Sequence, residues 1–157
     1  MKRRITLELL CTVLALVFIY AGVSKLMDYS NFKVQLSKSP ILADYANTVS
    51  WAVPVLELSI AAKLFVAGLR EFALYAFLFL MSSFTIYLLV ILNFSDHIPC
   101  SCGGILQKMS WEGHIIFNLA IITINLLAIY LFNKTQGKLP LHKNIAQSGL
   151  AENLRTE

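Results

Sequence analysis

"FALYAFLFLMSSFTIYLLVILNF", residues 72–94, contains no charged side chain along its whole length. A helix that crosses a bilayer needs roughly 20 mainly apolar residues, because every backbone amide must be hydrogen-bonded within the segment. Three further stretches meet this requirement, at about residues 7–27, 51–69 and 111–132. The sequence therefore predicts an all-α, polytopic membrane protein built as a four-transmembrane-helix bundle.

The composition agrees with a membrane protein of one domain. Of its 157 residues, 57% are hydrophobic and 14% are charged, whereas soluble domains have about 25% charged residues. The net charge of +4 could suggest nucleic acid, but the basic residues form no stripe interleaved with aromatic residues. We expect the lipid bilayer as a partner and no nucleic acid.

The connections between the helices predict the topology. Only residues 68–71 separate the second helix from the third, so these two helices must be antiparallel. Residues 28–50 and 95–110 then emerge together on the opposite side, and Lys and Arg are enriched on the cytoplasmic side of membrane proteins. The side of the 68–71 turn carries Lys2, Arg3, Arg4, Arg70, Lys134, Lys138, Lys143 and Arg155, and the other side carries Lys25, Lys33, Lys38 and Lys108. We therefore predict a multi-pass protein of the bacterial cytoplasmic (inner) membrane, with both termini cytoplasmic and residues 95–110 extracytoplasmic.

The expected domain organisation is a membrane domain at residues 1–132 and a polar cytoplasmic C-terminal tail at residues 133–157. An alternative interpretation makes residues 1–24 a cleaved signal peptide. The apolar stretch is long for such a peptide, Glu8 interrupts its start, and cleavage would leave only three helices. We expect the first helix to be retained.

The connection at residues 95–110 contains a close cysteine pair, Cys100 and Cys102, followed by Gly103 and Gly104. The Cα atoms of residues i and i+2 are about 5.5 to 7 Å apart, so a disulfide between them requires a bent backbone and is strained. Strain makes the bond easier to reduce, and the two glycines permit the bend. The loop that the bond closes is too short to stabilise the fold greatly. The pattern favours a disulfide that exchanges with a partner, on the extracytoplasmic side where disulfides persist.

Two other interpretations of the cysteine pair stay open. The pair could be an inert loop disulfide or free thiols. It could also bind a metal ion, because His97, Cys100, Cys102 and His114 supply a Cys2His2 set, although structural zinc sites usually space their cysteines two to four residues apart. His114 alone could cap the fourth helix or lower a thiol pKa.

The third cysteine, Cys11, is not expected to take part. It lies about 24 Å, by helical rise, from the extracytoplasmic end of its helix, so it is predicted to be a small core residue. Thiol exchange by this chain then needs its second cysteine pair from a partner.

Glu57 is the charged residue that most needs an explanation. It lies about seven residues into the second helix, near 10 Å below the membrane surface, where an unpaired carboxylate is costly. Lys25 could reach it, so we predict an ion pair or a hydrogen bond between helices, with a proton-relay role as the alternative. On the fourth helix, His114, Asn118 and Asn125 share one stripe, which predicts that they face the bundle interior.

Two stretches resemble the DoxX-type four-helix membrane proteins. They are YAGVSKL at residues 20–26, with Phe32 shortly after it, and WAVPVLEL at residues 51–58. The second half of the chain is more specific. CSCGG at residues 100–104, followed by Trp111 and the pair Phe117-Asn118, resembles the MauE branch, the methylamine utilisation membrane proteins, in which a Cys-x-Cys-x-Gly loop precedes a Trp and an Arg-Asn pair.

The resemblance extends over about residues 7–132. This sequence has Gly103 where the MauE branch often has Phe, and Phe117 where it has Arg. The resemblance implies a four-helix membrane protein connected with methylamine utilisation, with a cysteine loop at its extracytoplasmic mouth.

We therefore expect a membrane component of thiol–disulfide exchange, and an oxidoreductase role stays open. The predicted catalytic residues are Cys100 and Cys102, and the expected partner is an extracytoplasmic thioredoxin-like or cysteine-rich protein. The rival interpretation is a non-enzymatic assembly or transport subunit with a structural or metal-binding loop. The cofactor is left open, with a membrane quinone as the candidate. The residues predicted to support the site are Glu57, Lys25, His114, Asn118, Trp111, Gly103 and Gly104.

Overall fold

A computed structural model describes residues 2–94 and 111–136. The helices are α1 (Lys2–Met27), α2 (Tyr29–Ser37), a 3-10 turn (Ala43–Tyr45), α3 (Ala46–Phe65), α4 (Arg70–Phe94) and α5 (Trp111–Gln136). Four segments are long and apolar enough to cross a membrane, Arg3–Met27, Ala43–Phe65, Arg70–Asn93 and Glu112–Thr135. The described residues contain no strand. The predicted all-α class with four membrane-spanning helices is confirmed.

The second spanning helix is displaced from its predicted bounds. α3 begins at Ala46, five residues before the predicted start, and ends at Phe65. Hydropathy did not indicate this first turn, because several of the residues before Trp51 are polar. These residues nevertheless fit a helix. Ser50 is fully buried, and its hydroxyl donates to the carbonyl of Asn47 at 2.9 Å. At the other end, Val66 adopts an extended backbone, which stops the helix before the turn into α4.

The first connection contains a helix that hydropathy did not indicate. α2 has nine residues, YSNFKVQLS, in which no two apolar residues are adjacent. Phe32 and Leu36 lie one turn apart on one face, are 6% and 3% exposed, and pack with Ala46 in a small second core. The i, i+4 spacing of these two apolar residues is a sequence signal for the packing.

The four long helices form a closed ring. α1 packs against α3 and α5, and α4 packs against the same two helices. Phe18 of α1 and Phe77 of α4 meet across the centre of the ring, where their rings stack with centroids 3.9 Å apart. Both side chains are almost fully buried. Cys11 lies about two helical turns before Phe18 on α1. It is 3% exposed within the main core, as predicted for a core residue.

The outer surface of the bundle is strongly apolar. The large side chains in the spans that are more than 60% exposed are Ile5, Leu9, Met27, Tyr45, Phe72, Phe79, Ile86 and Ile116. Apolar patches of this extent are rare on soluble monomers. The surface is suited to lipid contact, which follows from the four spanning helices.

The end of the ring formed by the start of α1 and the α3–α4 turn is held by a fork-shaped ion pair. Arg70 donates through Nη1 and Nη2 to the two carboxylate oxygens of Glu8, each at 3.1 Å. Its Nε donates to the carbonyl of Leu64 at the end of α3. From the sequence, Arg70 was considered only as one of the basic residues that predict the membrane orientation. In the structure it is 9% exposed and joins α1, α3 and α4. We call this the arginine end of the bundle.

The opposite end is formed by the ends of α1 and α4 and the starts of α3 and α5. α2 lies against α3 at this end, and the side chain of Tyr87 on α4 donates to Ser39, which follows α2, at 2.9 Å. Residues 95–110 connect α4 to α5, so they leave and re-enter the described structure here. We call this the cavity end, for the reason given next.

Candidate functional site

A buried ion pair joins α1 to α3 at the cavity end. Lys25 Nζ lies 2.7 Å from Glu57 Oε1, and the two side chains are 11% and 1% exposed. Lys25 Nζ also donates to the carbonyl of Ala21 at 3.4 Å. The predicted contact between these two residues is present. Because two buried charges are stable only with good geometry and further hydrogen bonds, the short distance is what allows Glu57 to be so deep.

Glu57 lies deeper along its helix than the sequence indicated. From Ala46 it is eleven positions into α3, or about 17 Å by helical rise, rather than the 10 Å expected from a start at Trp51. The difference follows directly from the earlier start of α3. The carboxylate is therefore near the middle of its helix.

A close approach of the two backbones places the pair. A Cβ atom at Gly22 would lie 3.0 Å from Leu58 Cγ, 3.2 Å from Leu58 Cδ2 and 3.3 Å from the carbonyl oxygen of Pro54. Gly22 precedes Lys25 by one helical turn, and Pro54 and Leu58 flank Glu57. Small residues let helices pack closely in membranes. The glycine therefore brings α1 near enough to α3 for the two charged side chains to meet.

The ion pair lies on the wall of an apolar cavity of about 270 Å³. Phe18 and Met81 contribute on the side towards the centre of the ring, and α2 contributes Phe32 and Leu36. The cavity is lined by Val17, Phe18, Ala21, Lys25, Phe32, Leu36, Leu42, Val49, Val53, Glu57, Met81, Ser83, Phe84, Tyr87, Leu88, His114, Phe117 and Asn118. All four spanning helices thus contribute to one space.

The polar stripe predicted on α5 faces the interior. His114 is 5% exposed, Asn118 is 6% exposed and Asn125 is fully buried, so the prediction is confirmed. The three residues have different surroundings. His114 and Asn118 line the cavity, whereas Asn125 lies farther along α5 and donates to the carbonyl of Leu74 on α4 at 3.0 Å, which ties the two helices together.

One polar atom on the cavity wall has unused hydrogen-bonding capacity. Glu57 Oε2 is buried and has no hydrogen-bond partner among the described residues. Buried polar groups are usually satisfied, so Glu57 Oε2 marks a place where a ligand or water can bind. Asn118 lines the same cavity and adds an amide to its wall.

The cysteine pair lies outside the described residues. Cys100, Cys102, Gly103, Gly104 and His97 all belong to residues 95–110, and Trp111 is described only as the first residue of α5. The Cys2His2 alternative therefore stays a prediction. Within residues 2–94 and 111–136, no group of three His, Cys, Asp or Glu side chains is placed to hold a metal ion.

The structure thus brings together four of the predicted supporting residues, Lys25, Glu57, His114 and Asn118, around one cavity. Sequence reasoning missed the cavity wall contributed by α2 and by Tyr87. Phe32 had already been noted in the family pattern, which was a usable signal. Tyr87 gave none, because its hydrogen bond to Ser39 joins residues far apart in the chain.

A ring of four spanning helices around a lysine–glutamate pair and an apolar cavity defines this chain as a polytopic helical membrane protein with an internal site. It belongs to the MauE family: the family model described as methylamine utilisation protein MauE matches residues 3–131, which confirms the resemblance seen in the sequence. No curated protein and no solved structure matches the chain.

Proposed function

We propose that this chain is a membrane component of thiol–disulfide exchange within the methylamine utilisation family. In this proposal Cys100 and Cys102 alternate between dithiol and disulfide, and the partner is an extracytoplasmic thioredoxin-like or cysteine-rich protein. The chain lies in the bacterial inner membrane, with residues 95–110 outside, and residues 133–157 form the cytoplasmic tail of a membrane domain at residues 1–132.

One observation carries the proposal. The segment with the cysteine pair is anchored at both of its ends in helices that form the cavity wall. α4 contributes Tyr87 and Leu88 to this wall shortly before its end, and α5 contributes His114 and Asn118 shortly after its start. A buried ion pair lies on the same wall. The cysteine segment and an internal polar site therefore belong to the same end of the bundle, which supports a joint role.

The two cysteines of each partner balance the electrons of the exchange, because one pair is oxidised as the other is reduced. A client thiolate attacks one sulfur of the Cys100–Cys102 disulfide, the bond between these sulfurs breaks, and a mixed disulfide forms. The second client thiolate then attacks the client sulfur of the mixed disulfide. The client leaves with a new disulfide, and Cys100 and Cys102 remain as a dithiol that holds the two electrons.

The experiment is to trap the mixed disulfide. Cys100→Ser and Cys102→Ser are expressed separately in cells that contain the client, and extracts are alkylated and compared with and without reductant. We expect one variant to accumulate a reducible adduct with an extracytoplasmic protein and the other to lose activity without it. Cys100 is the cysteine expected to be joined to the client in the mixed disulfide, so Cys102→Ser is the variant expected to accumulate the adduct. Cys11→Ser is the matched control, because Cys11 is a buried core residue, and it should leave exchange unchanged.

Other results would point to other functions. Equal, mild destabilisation by both changes with no adduct would support an assembly or transport subunit with a structural loop. Loss of a bound metal, reproduced by His97→Ala or His114→Ala, would support the metal site. Either result contradicts the exchange proposal.

A further inference from the structure

We propose that the apolar cavity binds the ring of a membrane quinone, and that this quinone accepts the electrons of the Cys100–Cys102 dithiol. The second part rests on the proposed function, whereas the binding site stands on the described residues alone. The size of the cavity, the unpartnered oxygen of Glu57 on its wall and its charge balance each restrict the class of ligand.

The size of the cavity matches one substituted ring. An apolar cavity of about 150 Å³ is large enough to hold a benzene molecule, and the present cavity has about 270 Å³. It therefore has room for a six-membered ring with its substituents. The aromatic side chains Phe18, Phe32, Phe84 and Phe117 in its lining suit a flat ring.

The polar groups on the wall can form hydrogen bonds with the oxygen atoms of such a ring. Glu57 Oε2 accepts no hydrogen bond from the described residues, so it can accept one from the hydroxyl of a hydroquinone. Lys25 Nζ uses two of its three donors, on Glu57 and Ala21, and Asn118 supplies an amide. These groups can donate to the carbonyl of the oxidised quinone. Both redox states therefore find a partner.

The charge balance favours a neutral ligand. Lys25 and Glu57 neutralise each other at 2.7 Å, and the rest of the lining is apolar apart from hydroxyl, amide and imidazole groups. An organic cation such as methylammonium would bring an uncompensated charge into this environment, at a large cost in desolvation. A neutral quinone or hydroquinone brings none.

The redox step is balanced without a further reagent. The Cys100 and Cys102 thiols give up two electrons and two protons, and a sulfur–sulfur bond forms between them. The two electrons and two protons convert both quinone carbonyls to hydroxyls. In this direction the chain oxidises its client and passes the electrons to the quinone pool.

The test is direct binding of decylubiquinone and of a short-tailed menaquinone analogue to the purified full chain in lipid nanodiscs. We expect saturable binding of at least one of them, at about one molecule per chain. Val53→Phe places a ring in the cavity and should weaken binding by about tenfold or more, which corresponds to 1.4 kcal/mol. Val55→Phe is the matched control, because Val55 lies on the same helix but is 52% exposed on the outer surface, and it should bind like the wild type.

Asn118→Leu keeps the approximate volume and removes the amide, so it provides a second variant if Val53→Phe fails to fold. It should also weaken binding. Binding that does not saturate, or that Val53→Phe and Asn118→Leu leave unchanged while both proteins are folded, would show that the quinone only partitions into lipid, and would overturn the proposal.

The cysteine-trapping experiment separates the two proposals. A mixed disulfide in a protein that binds no quinone would refute the quinone site and leave the exchange function intact. Saturable quinone binding without any mixed disulfide would refute the exchange function and leave the binding site in place.

Discussion

Lys25 Nζ and Glu57 Oε1 lie 2.7 Å apart in the interior of the bundle, although 32 residues separate them in the chain. The contact joins α1 to α3 and forms part of the wall of the cavity. A second oxygen, Glu57 Oε2, stays without a hydrogen-bond partner among the described residues. The pair is thus both a link between helices and a candidate functional group, and substitutions can separate the two roles.

Replacing one member of the pair should destabilise the protein more than replacing both. Lys25→Met leaves a buried carboxylate without its partner, and breaking a buried pair in this way typically costs about 3–5 kcal/mol. Lys25→Met combined with Glu57→Leu removes both charges and should recover most of that loss. Thermal unfolding in detergent, analysed as a double-mutant cycle, measures the difference.

Glu57→Gln tests the functional role separately. The amide keeps the shape of the side chain and a hydrogen-bonding group but removes the titratable charge. If Glu57 acts only through a structural hydrogen bond between α1 and α3, the variant should accumulate and exchange disulfides normally. Normal accumulation with lost exchange indicates a proton-relay role, and lost accumulation indicates a structural ion pair. Wild-type behaviour in both measurements would show that the charge of Glu57 is dispensable.

Gly22→Ala should loosen the contact between α1 and α3. The added Cβ would lie 3.0 Å from Leu58 and 3.3 Å from the Pro54 carbonyl oxygen, and the backbone oxygen cannot turn away. Overpacking of this kind costs about 1–3 kcal/mol. We expect a lower unfolding temperature and a weaker coupling between Lys25 and Glu57.

The control for this change is Gly68→Ala in the turn between α3 and α4. A Cβ atom at Gly68 would have no heavy atom within 4 Å, so Ala should be tolerated or should stabilise the chain by about 0.4–1 kcal/mol through the unfolded state. Equal losses at both positions would contradict the close approach at Gly22.

At the arginine end, Arg70→Gln should cost more than Glu8→Gln. Arg70 is nearly buried and donates to the Leu64 carbonyl as well as to Glu8, so its loss leaves a buried carbonyl short of a donor, at about 1–3 kcal/mol. The Glu8 side chain is 50% exposed, and a half-exposed carboxylate in an ion pair contributes about 1 kcal/mol or less. Unfolding temperatures of the two variants compare these effects. A larger loss from the Glu8 variant would refute the assigned role of Arg70.

The membrane orientation can be tested with single cysteines in a chain whose own three cysteines are replaced by Ser. Ser37 lies on the exposed face at the end of α2, and Asn133 lies exposed near the end of α5, at the opposite end of the bundle. Ser37→Cys and Asn133→Cys therefore report on the two ends. In intact spheroplasts, an impermeant maleimide should label the first and not the second. Labelling of the second alone would reverse the proposed orientation and remove the oxidising compartment on which disulfide exchange depends.

The sequence by itself determined the membrane class, the four spans and the antiparallel pairing of α3 and α4, because each of these follows from the transfer energies and spacing of residues close together in the chain. It also indicated the Lys25–Glu57 contact and the inward stripe of His114 and Asn118, since a charge or amide in an apolar span has few alternatives to an interior partner.

Only the tertiary structure decided how near the helices come and what space they leave between them. The fork between Arg70 and Glu8 joins residues 62 positions apart, the approach at Gly22 depends on the side chain of Leu58, and the cavity is bounded by residues of α1, α2, α3, α4 and α5. Hydropathy and periodicity describe one helix at a time, whereas a void and its unpartnered oxygen are properties of several helices packed together.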